Sequence, residues 1–309
     1  MPSRRLDGMG NNRALPKQAI LIVNTASRRG ADAFAQARDK LVKAGVELIG
    51  ARAVDNPERL PGEVTSAIDR APMVIVGGGD GSLSETVDHF LGHDTVFALL
   101  PLGTANSFAR TLGIPLDLDG AIDVIAKGEA RRIDLAAING DYFLNNAALG
   151  LAPIVAESVP HGLKRSFGRL GYLLWAGWSA ANFKAFRLKV ETEGTTYRLW
   201  ATEARIANGR FHGGVELIES ADLHSGEIVV QAVPGRSVAK LGLSYLASAL
   251  KHPRRHDALR EFHAPKVRID TKPSMRVSID GELGPETPFD AWAVPEAVYV
   301  AAPRANRKG

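Results

Sequence analysis

Up to residue 138 the chain alternates short apolar, β-branched runs with longer stretches of helical periodicity. Strand-like runs at 18–23, 47–53, 73–76 and 96–100 are each followed by a helix-compatible segment, at 31–44, 62–70, 83–91 and 107–112, with a further helical run at 120–126. Alternation of this kind predicts an α/β N-terminal domain, a parallel sheet with helices on both faces and ligands at the carboxyl ends of the strands. After residue 138 the texture changes. Short runs at 132–138, 142–148, 185–192, 195–207, 227–233, 266–271 and 275–279 are broken by Asn-Gly, Ser-Gly and Asp-Gly turns, which predicts a β-rich, antiparallel, sandwich-like C-terminal domain. Helical pieces near 167–181 and 238–250 and a last strand at 297–303 complete the pattern.

Two loops at predicted strand ends carry the candidate chemistry. The first is Gly77-Gly78-Gly79-Asp80-Gly81-Ser82-Leu83-Ser84-Glu85 and the second Pro101-Leu102-Gly103-Thr104-Ala105-Asn106-Ser107-Phe108-Ala109-Arg110. Successive glycines allow unusual backbone conformations and let N–H groups approach phosphate oxygens, so the α/β domain is expected to bind a nucleotide. Asp80 repels phosphate, and its place among such amides suggests a metal ion held directly or through water. Ser82 and Thr104 add hydroxyl donors, and Gly103 gives the second loop backbone access. On its own, a glycine run also serves as a tight βα connection with no ligand. Neither the Gly-x-Gly-x-x-Gly dinucleotide fingerprint nor a Gly-Lys-Ser/Thr phosphate loop is present.

Composition narrows the class only a little. At 309 residues the chain is long enough for two domains, and 45% hydrophobic residues is ordinary for a globular protein. No stretch approaches the ~20 apolar residues of a membrane span, and 1–17 lacks the apolar core of a secretory signal. These residues read as a flexible tail and the protein as cytoplasmic. The absence of cysteine excludes disulfides, thiol catalysis and thiolate-bound zinc. A net charge of +4, with no basic run interleaved with aromatics, gives no argument for nucleic acid but permits attraction to anionic lipid head groups. His212 and His224 have no second ligand at helical or hairpin spacing and read as exposed loop histidines.

At the two loops the chain resembles the catalytic domain of diacylglycerol kinases, sphingosine and ceramide kinases and bacterial lipid kinases. The family pattern reads Gly-Gly-Asp-Gly-Thr-x-x-Glu and then Pro-x-Gly-Thr-x-Asn-Asp-x-Ala-Arg. Further ordered matches are Asn24-Thr25-Ala26-Ser27-Arg28-Arg29-Gly30, Arg132-Ile133-Asp134-Leu135, Phe143-Leu144-Asn145-Asn146-Ala147, Ala207-Asn208-Gly209-Arg210, Gly213-Gly214 and Ile279-Asp280-Gly281-Glu282. NAD kinases share the first element and lack the second.

The resemblance implies transfer of the γ-phosphoryl group of ATP, with Mg²⁺, to a hydroxyl of a diacylglycerol-like or long-chain-base lipid, in the cleft between the domains. It implies an α/β domain at 18–130 completed by 292–305 and a lipid-substrate domain at 131–291. ATP would meet Asn24, Thr25, Ala26, Ser27, Arg28 and Arg29 of the first loop. It would also meet Gly78, Gly79, Asp80, Gly81, Ser82, Leu83 and Glu85, and Gly103, Thr104 and Asn106. Asp80 and Asp134 would share a water-mediated magnesium network. Asp280 would be the general base, with Glu282 as the alternative base or a metal-side partner; read alone, Asp-Gly reads first as a hairpin turn. Lys164 and Arg165 match a basic pair of the family, although a solvated charge accounts for them as well.

Three departures stand against full carry-over. Thr25 replaces a usual proline, Ser107 replaces an aspartate of the magnesium network, and Ser225 replaces the aspartate of a structural magnesium site at Asp222, Ser225 and Glu227. That ion is therefore expected to be weak or absent, since a hydroxyl is a poor substitute for a carboxylate ligand. The expected protein is a cytoplasmic, peripherally membrane-associated lipid kinase with no transmembrane segment, its association as a homodimer left open. The rivals are an NAD-kinase-like soluble kinase and a catalytically silent lipid or nucleotide binder. Trp175 and Trp178, three apart on one helical face, read first as core packing, with a wall of an acyl-chain groove or an interfacial foot as the alternative.

Overall fold

The computed structural model describes residues 12–26, 30–150, 183–236 and 259–304. The predicted helical pieces at 167–181 and 238–250, with Lys164, Arg165, Trp175 and Trp178, lie outside the described residues. So do Ser27, Arg28 and Arg29 of the first loop. Two units divide the chain: the first takes Met1–Leu135, Asp222–Gly226 and Val294–Gly309, the second Ala136–Ala221 and Glu227–Ala293.

In the first unit, four parallel strands run in the order Glu47–Val54, Gln18–Asn24, Met73–Gly78, Val96–Pro101. The end of Phe289–Ala302 adds in parallel at the far side, Tyr299 opposite Val96. Met73–Gly78 and Val96–Pro101 are buried at every residue, as central strands covered on both faces must be. Glu47–Val54 alternates in exposure and forms an edge. The helices are Gly30–Lys43, Leu60–Ile68, Asp80–Val87, Ser107–Thr111 and Leu118–Lys127. The third begins at Asp80, not at residue 83, so its first turn lies inside the glycine loop.

The described strands of the second unit pair antiparallel with one another. Asn146–Gly150, Thr195–Ala207, Phe186–Thr192 and Lys266–Lys272 pair in that order, with Arg276–Ile279 and Glu282–Glu286 as a hairpin beside Asn146–Gly150. Phe186, Leu188, Val190, Ile206, Val230, Ile269 and Phe289 lie in its core. Two strands differ from expectation. The run at 142–148 is interrupted, giving Asp141–Phe143 and Asn146–Gly150, because Leu144 and Asn145 turn their N–H groups away from the ladder and toward a side chain. Thr195–Ala207 carries an irregularity between Ala201 and Glu203, where it passes from pairing with Phe186–Thr192 to pairing with Asn146–Gly150.

The segment 222–226, expected in the second domain, belongs to the first unit. Asp134 holds it there: its backbone N–H donates to Leu223 O at 2.7 Å and its carboxylate accepts from Gly226 N–H at 2.7 Å.

Candidate active site

Three loops of the first unit converge at the ends of their strands. Asn24 Nδ2 donates to Ser82 Oγ at 2.9 Å, while Asn24 Oδ1 accepts from Ala26 N–H at 3.1 Å. Leu102 N–H donates to Gly78 O at 2.9 Å. The glycines serve close approach and not special dihedrals, since none of Gly77, Gly78, Gly79 and Gly81 has positive φ. A Cβ on Gly78 would lie 2.5 Å from Ser82 Cβ, and one on Gly103 would lie 2.6 Å from Gly79 Cα. This corrects the conformational reason given for the glycine run: the two loops touch backbone to backbone.

Asp80 is the link between them. Its Oδ2 accepts from Ser107 N–H at 3.0 Å and its Oδ1 from Phe108 N–H at 3.1 Å. A carboxylate among amides is thus explained without repulsion, because it is aimed at the N-terminus of Ser107–Thr111, where negative charge is favoured. The N–H groups of Asp80, Gly81 and Ser82 occupy the first turn of their own helix, which offers no intrahelical acceptor. The preceding Gly79 has no side chain to cap them. Nothing lies within 4 Å of a Cβ built on Gly81, so the space beside that residue of the first turn is open, and N–H groups at such a helix end favour an anion.

Several expected nucleotide ligands have other partners. Leu83 is buried and its N–H donates to Gly79 O. Asn106, in the left-handed region at φ 48°, accepts from Gly103 N–H at 2.9 Å and donates to Gly103 O at 3.0 Å. It fixes the second loop from within, and the Gly103 N–H is used there. Thr25 N–H donates to Val54 O. Thr104 and Glu85 are exposed.

Asp134, expected in a magnesium network with Asp80, is held by backbone donors of its own unit. It is 3% exposed, and its carboxylate accepts from Glu296 N–H at 2.8 Å as well as from Gly226. Burial raises its pKa from the ordinary carboxylate value, opposed by the two backbone bonds and nearby His224. Within the adjoining loop, Asp222 Oδ1 accepts from His224 N–H at 3.1 Å and Ser225 Oγ donates to Asp222 O at 3.0 Å. Glu227 opens the next span of the second unit.

A second constellation lies within the second unit. Asp280 and Gly281, at φ 46° and 100°, form the two-residue turn joining Arg276–Ile279 to Glu282–Glu286. The Asp280 carboxylate accepts from the N–H groups of Leu144 at 2.9 Å, Asn145 at 3.2 Å and Asn146 at 3.0 Å. The base expected at this position therefore sits in a cradle of three backbone donors. Glu282 is exposed.

The cradle and its support escaped the sequence reading, although Phe143-Leu144-Asn145-Asn146 and Ala207-Asn208-Gly209 were among the matching segments. Asn208 and Gly209 donate their N–H groups to Asn145 O at 2.9 and 2.8 Å, and Asn208 Nδ2 donates to Leu144 O at 3.0 Å. Asn146 Nδ2 donates to Phe211 O at 3.2 Å, and its Oδ1 is bonded to His212 Nδ1.

His212 is not an exposed loop histidine. It belongs to the short strand Phe211–His212 and is half-buried, and burial together with the charge of Arg205 pushes its pKa down to about 4. The neutral ring is thus the folded form at neutral pH. Its contribution to stability is present above the unfolded value of about 6.5 and is lost as pH falls through the folded value. His212→Gln should flatten the acid limb of stability between about pH 6.5 and 4, removing up to about 3 kcal/mol of pH dependence. Urea unfolding across that range, with parallel wild-type and variant curves as the contrary result, provides the check.

Comparison with known proteins accords with this geometry. A family model described as the diacylglycerol kinase catalytic domain matches residues 18–138, and one described as the YegS C-terminal NAD kinase beta sandwich-like domain matches 146–302. Proteins named diacylglycerol kinase from Staphylococcus aureus strains bovine RF122 / ET3-1 and JH9 are each 30% identical over 300 residues, covering 93% of this chain and 93% of theirs. A solved diacylglycerol kinase structure from Bacillus anthracis str. Sterne superposes with TM-score 0.73 at 20% identity, over 93% of this chain and 97% of that one. Another solved chain from that organism gives TM-score 0.79 at 24% identity, over 93% and 95%. A nucleotide-type glycine loop on a parallel sheet and an antiparallel second unit therefore have a common explanation: the chain belongs to the diacylglycerol kinase family.

Proposed function

We propose that this lipid kinase uses ATP, with Mg²⁺, and phosphorylates a hydroxyl of a diacylglycerol-like or long-chain-base lipid. The observation that carries the nucleotide assignment is the open first turn at Asp80, Gly81 and Ser82, where a helix end meets empty space beside Gly81. Phosphate oxygens would be held there by N–H groups, with Thr104 at hand as a hydroxyl donor. Among the described residues no three His, Cys, Asp or Glu side chains gather into a metal site. Magnesium is commonly held by one or two carboxylates together with substrate phosphates and water, so it would arrive with the nucleotide and meet Asp80 through water. When bound, it neutralises charge developing on the transferred phosphoryl group.

The acceptor is assigned from the family. Proteins named diacylglycerol kinase are 30% identical to this chain, and no helix among the described residues is long and apolar enough to cross a membrane. A lipid acceptor would then be met at a membrane surface. Labelled ATP and Mg²⁺ incubated with the purified chain and a panel of diacylglycerols and long-chain bases should give a labelled lipid monophosphate. Label in phosphorylated NAD instead, with NAD added as a rival acceptor, would favour the soluble-kinase reading. No labelled product from any acceptor would favour a silent binder.

A further inference from the structure

We infer that the outward sheet face around Trp200 in the second unit is a docking surface for anionic phospholipid membranes. In Phe186–Thr192 the residues Phe186, Leu188 and Val190 are buried, so Arg187 and Lys189 point to the other face. Cross-strand register sets Arg187 opposite both Trp200 and Lys272, and sets Lys189 opposite Arg198 and Asp270. These residues line a groove of ≈ 480 Å³.

Like charges placed directly opposite in a sheet repel, yet here Arg187 faces Lys272 and Lys189 faces Arg198, and the acids Asp270 and Glu191 on the same face are too few to balance them. Arg187, Arg198, Arg236 and Lys272 are exposed, and among the described residues none of them has an ion-pair partner. Lys189 alone is paired, with Glu191 at 2.8 Å. The neighbouring row on the same face is built in the ordinary way: Arg268 lies opposite Glu191 and Asp290 and bonds Asp290 at 3.0 Å. The excess of positive charge is therefore local to the Trp200 groove.

Trp200 is half-buried, with the Arg236 guanidinium 4.0 Å and that of Arg187 5.2 Å from its ring centre. A tryptophan with two guanidinium groups over its ring combines an apolar surface with phosphate-binding cations. That combination suits the head-group layer of an anionic bilayer, where tryptophan concentrates and basic side chains are attracted. The choice of a membrane over another polyanion rests on the lipid-acceptor reading above.

The test measures binding and turnover separately. Full-length protein is sedimented with vesicles of phosphatidylcholine alone or of phosphatidylcholine mixed with phosphatidylglycerol, and phosphoryl transfer is assayed with lipid in neutral detergent micelles. Wild type should bind the anionic vesicles selectively. Since each basic residue near such a surface changes partitioning by about fivefold, Arg187→Gln/Arg236→Gln/Lys272→Gln should lower it by about 100-fold. Lys43→Gln/Arg59→Gln/Arg70→Gln, the same change of charge elsewhere, should lower it by less than about fivefold. The single variants Arg236→Gln and Lys272→Gln, each expected to cost about fivefold, serve if the triple variant does not fold. The inference is overturned by wild type that ignores anionic vesicles, by equal losses in the two triple variants, by a triple variant that still binds, or by a loss confined to an RNA or DNA oligonucleotide. Vesicle binding that falls as expected in a protein that phosphorylates no lipid leaves the docking surface standing and removes the kinase reading.

Discussion

Asp80→Ala is expected to reduce lipid phosphorylation by at least about 100-fold and to lower stability by about 2–3 kcal/mol. The stability loss follows from what the carboxylate holds. Its two oxygens accept the Ser107 and Phe108 N–H groups, joining the start of one short helix to the start of another, and both residues are buried. Alanine leaves these donors unsatisfied and removes a negative charge from a helix N-terminus. The turnover loss follows from position: the second loop approaches Gly79 so closely that a Cβ on Gly103 would collide with it, and a loop released by about an ångström no longer aligns the groups around the phosphates. Urea unfolding and steady-state kinetics check the two effects. Asp80→Asn, which retains one acceptor oxygen, should be intermediate in stability. Unchanged stability with lost turnover would assign Asp80 to the metal and not to the loops, and unchanged turnover would remove it from the site.

Much of this arrangement was legible because it is local. Apolar runs followed by helical periodicity gave the parallel sheet, and the glycine loop stood at a strand end. What each loop residue does was less legible. Asn106 and Leu83 occupy motif positions, yet one closes its own loop and the other enters the core. Asp134 meets backbone donors 92 and 162 residues away, a pairing that no local pattern encodes. Backbone cradles are harder still: Leu144, Asn145 and Asn146 hold Asp280 through N–H groups that every such residue possesses. His212 read as a loop histidine because its spacing matched no ligand pattern, while its actual surroundings, Asn146 and the buried Arg205, come from other strands.

Asp280→Asn separates the two roles that sequence and structure give this residue. Asparagine tolerates the left-handed conformation, and Asn-Gly makes the same turn, so the hairpin itself should survive. The cradle should not survive intact. Three N–H donors now converge on two carboxylate oxygens, and an amide places an NH₂ group where one of those oxygens was. A buried donor then faces a donor, the charge that strengthened the bonds is gone, and stability should fall by about 1–3 kcal/mol. If Asp280 also accepts the proton of the lipid hydroxyl, kcat should fall by about 10²–10⁴-fold with nucleotide affinity unchanged. Both losses are expected, measured by urea unfolding and by turnover at a temperature where the variant is fully folded. Lost stability with normal turnover per folded molecule would make Asp280 a purely structural acceptor and pass the base to the exposed Glu282, tested by Glu282→Gln. Lost turnover with wild-type stability would instead mean that the three backbone bonds contribute little, and that the carboxylate is held in place for its chemistry.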